Sequence, residues 1–175
     1  MIRVREALRQ DIPELLRLMR ALARFEGYAE AFAVTAPDLE ERGFGAQTQF
    51  RALLAAEGEL GRAIGMAVYY LVPFTYDLRP TLVLKELYVE EEWRARGAGE
   101  LLMRAVARDA QRLGCGRMRW DVLNGNAGAE RFYRRLGGRR EEDWLAYRMD
   151  AGEIGKLGGH AGSVDWADGA VSRNW

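Results

Sequence analysis

Residues 93–100 read Trp93-Arg94-Ala95-Arg96-Gly97-Ala98-Gly99-Glu100, between a segment patterned like a strand and one patterned like an amphipathic helix. Glycine at a helix start costs up to ~1 kcal/mol relative to alanine. Two glycines at alternate positions point to a backbone that something approaches closely. Free N–H groups at a helix N-terminus, with the positive end of the helix dipole, make an anion site. Arg94 and Arg96 add cationic charge beside it. A pyrophosphate is the natural guest. The other reading of the spacing is a tight strand-to-helix turn with no ligand. Two other phosphate motifs fit worse. A dinucleotide fingerprint needs a third glycine where Leu102 stands, and the Gly-Lys-Ser/Thr of a P-loop is absent.

Upstream of this turn, Thr81 to Val89 is rich in β-branched and aromatic residues and reads as a strand, ended by Glu90-Glu91-Glu92. The acidic run is most simply a solvated loop; it is also a feature that would attract cationic amines. Before it, Phe50 to Ala56 and Ala63 to Val72 read as a hairpin around Glu57-Gly58-Glu59-Leu60-Gly61. Ile2 to Glu6 alternates like a short strand. Asp11 and Pro13 start a helix whose apolar face carries Leu15, Leu18 and Leu22, with Gly27 beyond its end. A second helix starts at Thr35-Ala36-Pro37-Asp38 and closes at Gly43-Phe44-Gly45.

Downstream, Ala98, Leu101, Leu102, Ala105, Val106 and Leu113 form the apolar face of a long helix stopped by Gly114. Arg117 to Leu123 alternates as a strand, and Asn126 precedes a helix carrying Ala129, Phe132, Tyr133 and Leu136. Trp144 to Met149 reads as a last strand. The strand–helix–strand unit at 81–123 implies a right-handed parallel crossover. Residues 1–150 form one domain in this reading. Residues 151–175, six of them glycine, form an appended tail in which Val164, Trp166 and Trp175 are suited to docking.

Composition narrows the function. The 26 basic and 26 acidic residues balance, so no nucleic-acid-binding field is expected. Cys115 and His160 are the single cysteine and histidine, which excludes an internal disulfide and leaves no ligand set for zinc. Met1 to Glu6 carries no long apolar run, and no stretch reaches the roughly 20 apolar residues of a membrane span. A cytoplasmic protein without membrane, metal or nucleic-acid partner is expected.

Leu87-Tyr88-Val89, the acidic run and Trp93-Arg94-x-x-Gly97-x-Gly99 resemble the acetyl-CoA motif of the GNAT acetyltransferase superfamily. Asp121-Val122-Leu123-x-x-Asn126 and Ala129-x-x-Phe132-Tyr133-x-x-x-Gly137 are similar to its downstream Asn and Phe-Tyr helix, in the same order. Leu22-Ala23-Arg24-Phe25-Glu26, Gly43-Phe44-Gly45 and Gly65-Met66-Ala67-Val68-Tyr69-Tyr70 resemble its diamine branch, the spermidine/spermine and thialysine N-acetyltransferases. The likeness spans roughly residues 2–149.

The resemblance implies an α/β fold with a central mixed, mostly antiparallel sheet, one splayed parallel strand pair and flanking helices. It implies acetyl-CoA as co-substrate, held by the backbone of Leu87, Tyr88 and Val89, by the turn from Arg94 through Ala95, Arg96, Gly97, Ala98 and Gly99 to Glu100, and by Asn126, Gly128 and Ala129. Direct attack by an amine would then form an oxyanion held by one backbone N–H of the splayed strand. Tyr133 matches the tyrosine that serves the departing thiolate; from the residues alone it is more simply a core aromatic, like Phe132. Glu86 is the candidate base, and Glu26 with Phe25 lies at a substrate position; a solvated surface charge is the other reading of each carboxylate.

Lys85-Glu86 stands where the branch has an acidic pair, and Phe25 replaces a substrate-site tyrosine. Lys85 suits a substrate with its own carboxylate, such as a lysine-like amino acid, beside the diamines and polyamines. A homodimer is expected from the branch. The competing functions are a protein or peptide N-acetyltransferase and a non-catalytic acyl-CoA-binding regulatory module.

Overall fold

A computed structural model describes residues 1–58, 61–73 and 75–159. Within them the chain runs β1 (Ile2–Glu6), α1 (Ile12–Glu26), α2 (Ala36–Phe44), β2 (Arg51–Glu57), β3 (Ala63–Val72) and β4 (Thr81–Val89). It continues through α3 (Ala98–Arg112), β5 (Arg117–Arg119), α4 (Ala127–Arg135) and α5 (Ala151–Gly158). Two compact units form, Met1–Ala127 and a second from Gly128 onward.

The sheet of the first unit has the order β1-β2-β3-β4-β5. Its first four strands are antiparallel neighbours and β5 lies parallel to β4, giving the expected mixed, mostly antiparallel α/β architecture. The parallel pairing is brief: Thr81, Leu82 and Val83 face Arg117, Met118 and Arg119. Beyond Val83, β4 has no ladder partner on that side among the described residues. The strand expected over 117–123 therefore ends at Arg119, where its partner is lost.

Both sheet faces are covered, so β2 from Ala52 to Ala56 and β3 from Ala63 to Tyr69 are buried without interruption. On one face Leu15, Leu18, Met19 and Leu22 of α1, with Leu39 of α2, pack on Ala52, Leu54, Met66 and Val68. α3 covers the other face through Ala98, Leu102, Met103, Val106 and Ala110. Gly65 lets these layers close up: a Cβ there would stand 2.8 Å from the Tyr88 carbonyl oxygen.

Helix starts follow local chemistry. Thr35 and Asp38 form a capping box for α2, in which the Thr35 amide donates to the Asp38 carboxylate at 2.9 Å. Asp11, expected as the cap of α1, has another use. Its carboxylate accepts two bonds from Arg5, at 2.6 and 2.8 Å, and one from the Leu8 amide at 2.7 Å. α1 ends at Gly27, whose φ of 82° sends the chain back so that the Tyr28 amide donates to the Ala23 carbonyl.

One irregularity in β4 has consequences for the site. Val68 of β3 pairs with Glu86, but its neighbour Tyr69 pairs with Leu84, so Lys85 is an extra residue in the ladder. Opposed residues of an antiparallel pair share a face. Tyr69 donates to Asp109 of α3 at 2.9 Å, so Leu84 lies on the α3 face. Val68 and Met66 belong to the core under α1, so Glu86 and Tyr88 lie on the α1 face. Without the bulge, Glu86 would share the face of Leu84.

In the second unit, the rings of Phe132 and Tyr133 on α4 meet edge to face at 5.1 Å. α5 starts in a capping box in which the Asp150 amide donates to Glu153 at 3.0 Å, so the first residues of the expected tail are helical. The strand expected over Trp144–Met149 is absent. Those residues have no ladder partner among the described residues, and Tyr147 is 92% exposed. Alternation supplies a strand-like pattern but not the neighbour that a strand needs. His160, Val164, Trp166 and Trp175 lie outside the described residues, as do Glu59 and Leu60 of the hairpin turn. No helix among the described residues is long and apolar enough to cross a membrane.

Candidate active site

The turn after β4 is built by two left-handed residues. Ala95 has a φ of 58° and Gly97 a φ of 87°. Left-handed backbone costs a non-glycine residue roughly 1–2 kcal/mol, so Ala95 needs its surroundings to hold it there. Gly97 is the N-cap of α3 and offers no capping side chain. The first amides of α3 thus lack the side-chain acceptor that a serine or aspartate would bring. Ala95, Arg96 and Gly97 are exposed, and Ala98 is buried against the sheet.

The two arginines of the turn are seated on aromatic rings. The Arg94 guanidinium lies 4.6 Å from the centre of the Phe25 ring and 5.8 Å from that of Tyr88. Its Nε donates to the Val89 carbonyl at 3.0 Å. The Arg96 guanidinium lies 5.1 Å from the Trp93 ring. Glu100 points along α3 and accepts from Arg104 at 2.8 Å. This donor set suits a diphosphate: an uncapped helix start, a glycine turn and two cations.

Leu87, Tyr88 and Val89 lie on the half of β4 beyond its pairing with β5, where the backbone has no ladder partner on that side among the described residues, although the Val89 carbonyl accepts from Arg94. Glu86 lies on the same half. Its Oε2 is buried and has no hydrogen-bond partner among the described residues. Burial pushes its carboxyl up to about 7; Lys85 pulls it down and Glu26 pushes it further up. Lys85 itself is exposed at the bulge.

Tyr28 joins this group, and the sequence reading missed it. Burial first, and then the charges of Glu86 and Glu26, raise its phenol above the ordinary value. The signal was Gly27, which turns the chain back just after Glu26. Phe25, Glu26, Tyr28, Lys85 and Glu86 therefore gather where the end of α1 meets β4. Asn126 lies one residue before the end of the first unit, its amide donating to the Leu123 carbonyl at 3.0 Å. Gly128, Ala129 and Tyr133 belong to α4 in the second unit.

Glu90 is not the solvated residue that its acidic run suggests. It accepts from Arg17 of α1 and, at 2.6 Å, from Arg62, and its side chain is 12% exposed. Arg17 also donates to Glu14 at 2.9 Å. The group ties α1 to the end of β4; Glu91 and Glu92 remain exposed. No group of three His, Cys, Asp or Glu among the described residues could hold a metal ion.

Stability should report the raised Glu86 carboxyl. The folded protein holds this proton more tightly than the unfolded chain, so the contribution is fully present below about pH 4.5 and is lost as pH rises through about 7. Glu86→Gln should match the parent near pH 4 and exceed its stability by roughly 2–3 kcal/mol at pH 8. Urea unfolding at both pH values measures it, and equal stability at pH 8 would refute the burial argument.

Residues 14–138 match the family model described as Acetyltransferase (GNAT) family. The chain is 30% identical over 166 residues to the thialysine N-epsilon-acetyltransferase of Mus musculus, covering 90% of this chain and 97% of that one. It is 30% identical over 161 residues to spermidine/spermine N(1)-acetyltransferase-like protein 1 of Homo sapiens, covering 86% of this chain and 23% of that one. Among solved structures, an integron cassette protein from the mobile metagenome of V. cholerae shares the fold with a TM-score of 0.75 at 22% identity, covering 90% of this chain and 98% of that one.

Proposed function

The chain belongs to the GNAT acetyltransferase family and is an acetyl-CoA-dependent N-acetyltransferase; on that premise, we propose that its acceptor is the primary amine of a small diamine, polyamine or lysine-like amino acid. The amine attacks acetyl-CoA directly in a ternary complex. Glu86 carries this reading: a buried carboxyl poised at about 7, beside the open half of β4.

A lysine-like amine of pKa near 10.4 is neutral in only about one part in 2,500 at pH 7. Glu86 accepts the proton whose loss makes the amine nucleophilic, directly or through one water. Glu26 and Tyr28 line the approach of a cationic substrate, and Lys85 pairs with a carboxylate where the substrate carries one. Backbone groups of Leu87, Tyr88 and Val89 hold the donor's pantetheine as an added strand. Arg94 to Glu100 hold its diphosphate; the resemblance assigns Asn126, Gly128 and Ala129 to the donor as well. An N–H of β4 stabilises the oxyanion.

By the resemblance Tyr133 serves the departing thiolate, whose conjugate acid has a pKa near 8.5, against about 10 for a phenol. Full proton transfer is uphill by about 2 kcal/mol, so the phenol acts chiefly by hydrogen bonding. Its assignment rests on the Phe132-Tyr133 motif. Residues 1–150 constitute the catalytic domain and 151–175 its appendage. The enzyme works in the cytoplasm as a homodimer, a reading supported by the resemblance to the diamine branch.

Thiol release from acetyl-CoA, measured over polyamines, amino acids, lysine analogues and peptides, tests the acceptor. Small amines should turn over, and Lys85→Glu should shift preference from carboxylate-bearing acceptors toward polyamines. Turnover of peptides alone would favour the protein-acetylating alternative, and acetyl-CoA binding without turnover of any amine the regulatory one. Tyr133→Phe should lower kcat by about 10- to 100-fold with coenzyme A affinity unchanged, and a parallel loss of both would remove the tyrosine from the chemical step. The kcat/KM profile should rise with a midpoint near 7, and Glu86→Gln should abolish that limb; its persistence would point to another base.

A further inference from the structure

We infer that Phe25 is a positioning residue for the donor: its ring, with that of Tyr88, seats Arg94 and thereby fixes the turn that receives the diphosphate. The inference rests on the reading of that turn given above. Phe25 ends α1 and is 54% exposed, yet the Arg94 guanidinium stands over its ring at 4.6 Å. An arginine over an aromatic face is held by the ring quadrupole without loss of its charge.

Arg94 is constrained three ways. Phe25 and Tyr88 flank its guanidinium, its Nε donates to the Val89 carbonyl at 3.0 Å, and its amide donates to the Glu91 carbonyl at 3.1 Å. The next residue is Ala95, in the left-handed region at φ 58°. A non-glycine residue stays there only when its neighbours determine it. Arg94 is the neighbour tied on every side, so its seating sets the conformation from Ala95 to Gly97. Tyr88 is itself packed on the core under α1, so the seat is rigid on one side and depends on Phe25 on the other. Phe25 thus links the acceptor end of α1 to the donor turn.

The test is calorimetric binding of coenzyme A together with steady-state kinetics. Phe25→Leu keeps an apolar side chain but lacks the ring. It should weaken coenzyme A binding, read by calorimetry with no amine present, and raise KM for acetyl-CoA by about three- to tenfold. Phe25→Tyr should restore the affinity. Adding Phe25→Leu to Arg94→Met should weaken binding no further than Arg94→Met alone, because Phe25 acts through Arg94. Unchanged coenzyme A affinity in Phe25→Leu, or a rise confined to the amine KM, would overturn the inference while leaving the acetyltransferase reading intact. Failure of the parent protein to bind coenzyme A at all would overturn both.

Discussion

The alternation of side chains along a strand has a period of two, and a single unpaired residue reverses it. Lys85 is that residue in β4. Upstream of it, Leu84 faces α3 beside Tyr69; downstream, Glu86 and Tyr88 face α1. The raised carboxyl, the ring that seats Arg94 and the acidic end of α1 share one side of the sheet because of this reversal. The bulge also puts Lys85 outside the ladder, where its ammonium meets solvent and still bears on Glu86.

The junction of β4 and α3 depends on one close approach and one uncapped turn. Gly65 lets β3, the Tyr88 backbone and α3 come together, which brings the start of α3 to the end of β4. Gly97 then opens α3 without a cap. These features leave the start of α3 without a side-chain cap, beside the half of β4 that has no ladder partner on the β5 side among the described residues. An unpaired strand edge and an uncapped helix start are each ordinary liabilities; together they suit an extended ligand with a charged end, as the proposed donor is.

Much of this was legible in the sequence, where local pattern suffices. The strands over 63–72 and 81–89 follow from β-branched and aromatic runs bounded by polar turns, and the glycine turn from its spacing. What was not legible depends on distant partners. Nothing in Lys85-Glu86 announces a bulge, since register is decided by pairing with Val68 and Tyr69. The acidic run reads as solvated because Arg17 and Arg62 lie 73 and 28 residues from Glu90 in the chain. Trp144–Met149 shows the opposite error, a strand-like alternation with no neighbour to complete it. Tyr28 was overlooked because its importance comes from the fold of the chain after Gly27.

The pairing of Glu90 with Arg17 and Arg62 also bears on how fast a ligand arrives. Three carboxylates ahead of a diphosphate turn would repel an incoming nucleotide. The fold neutralises the first from within, and the two exposed ones are followed by Arg94 and Arg96. At physiological ionic strength fields fade over about 8 Å, so an approaching polyanion senses the mouth of the turn more than the charge of the whole chain. Capture of the proposed donor would thereby be spared an electrostatic barrier, although the segment is acidic by composition.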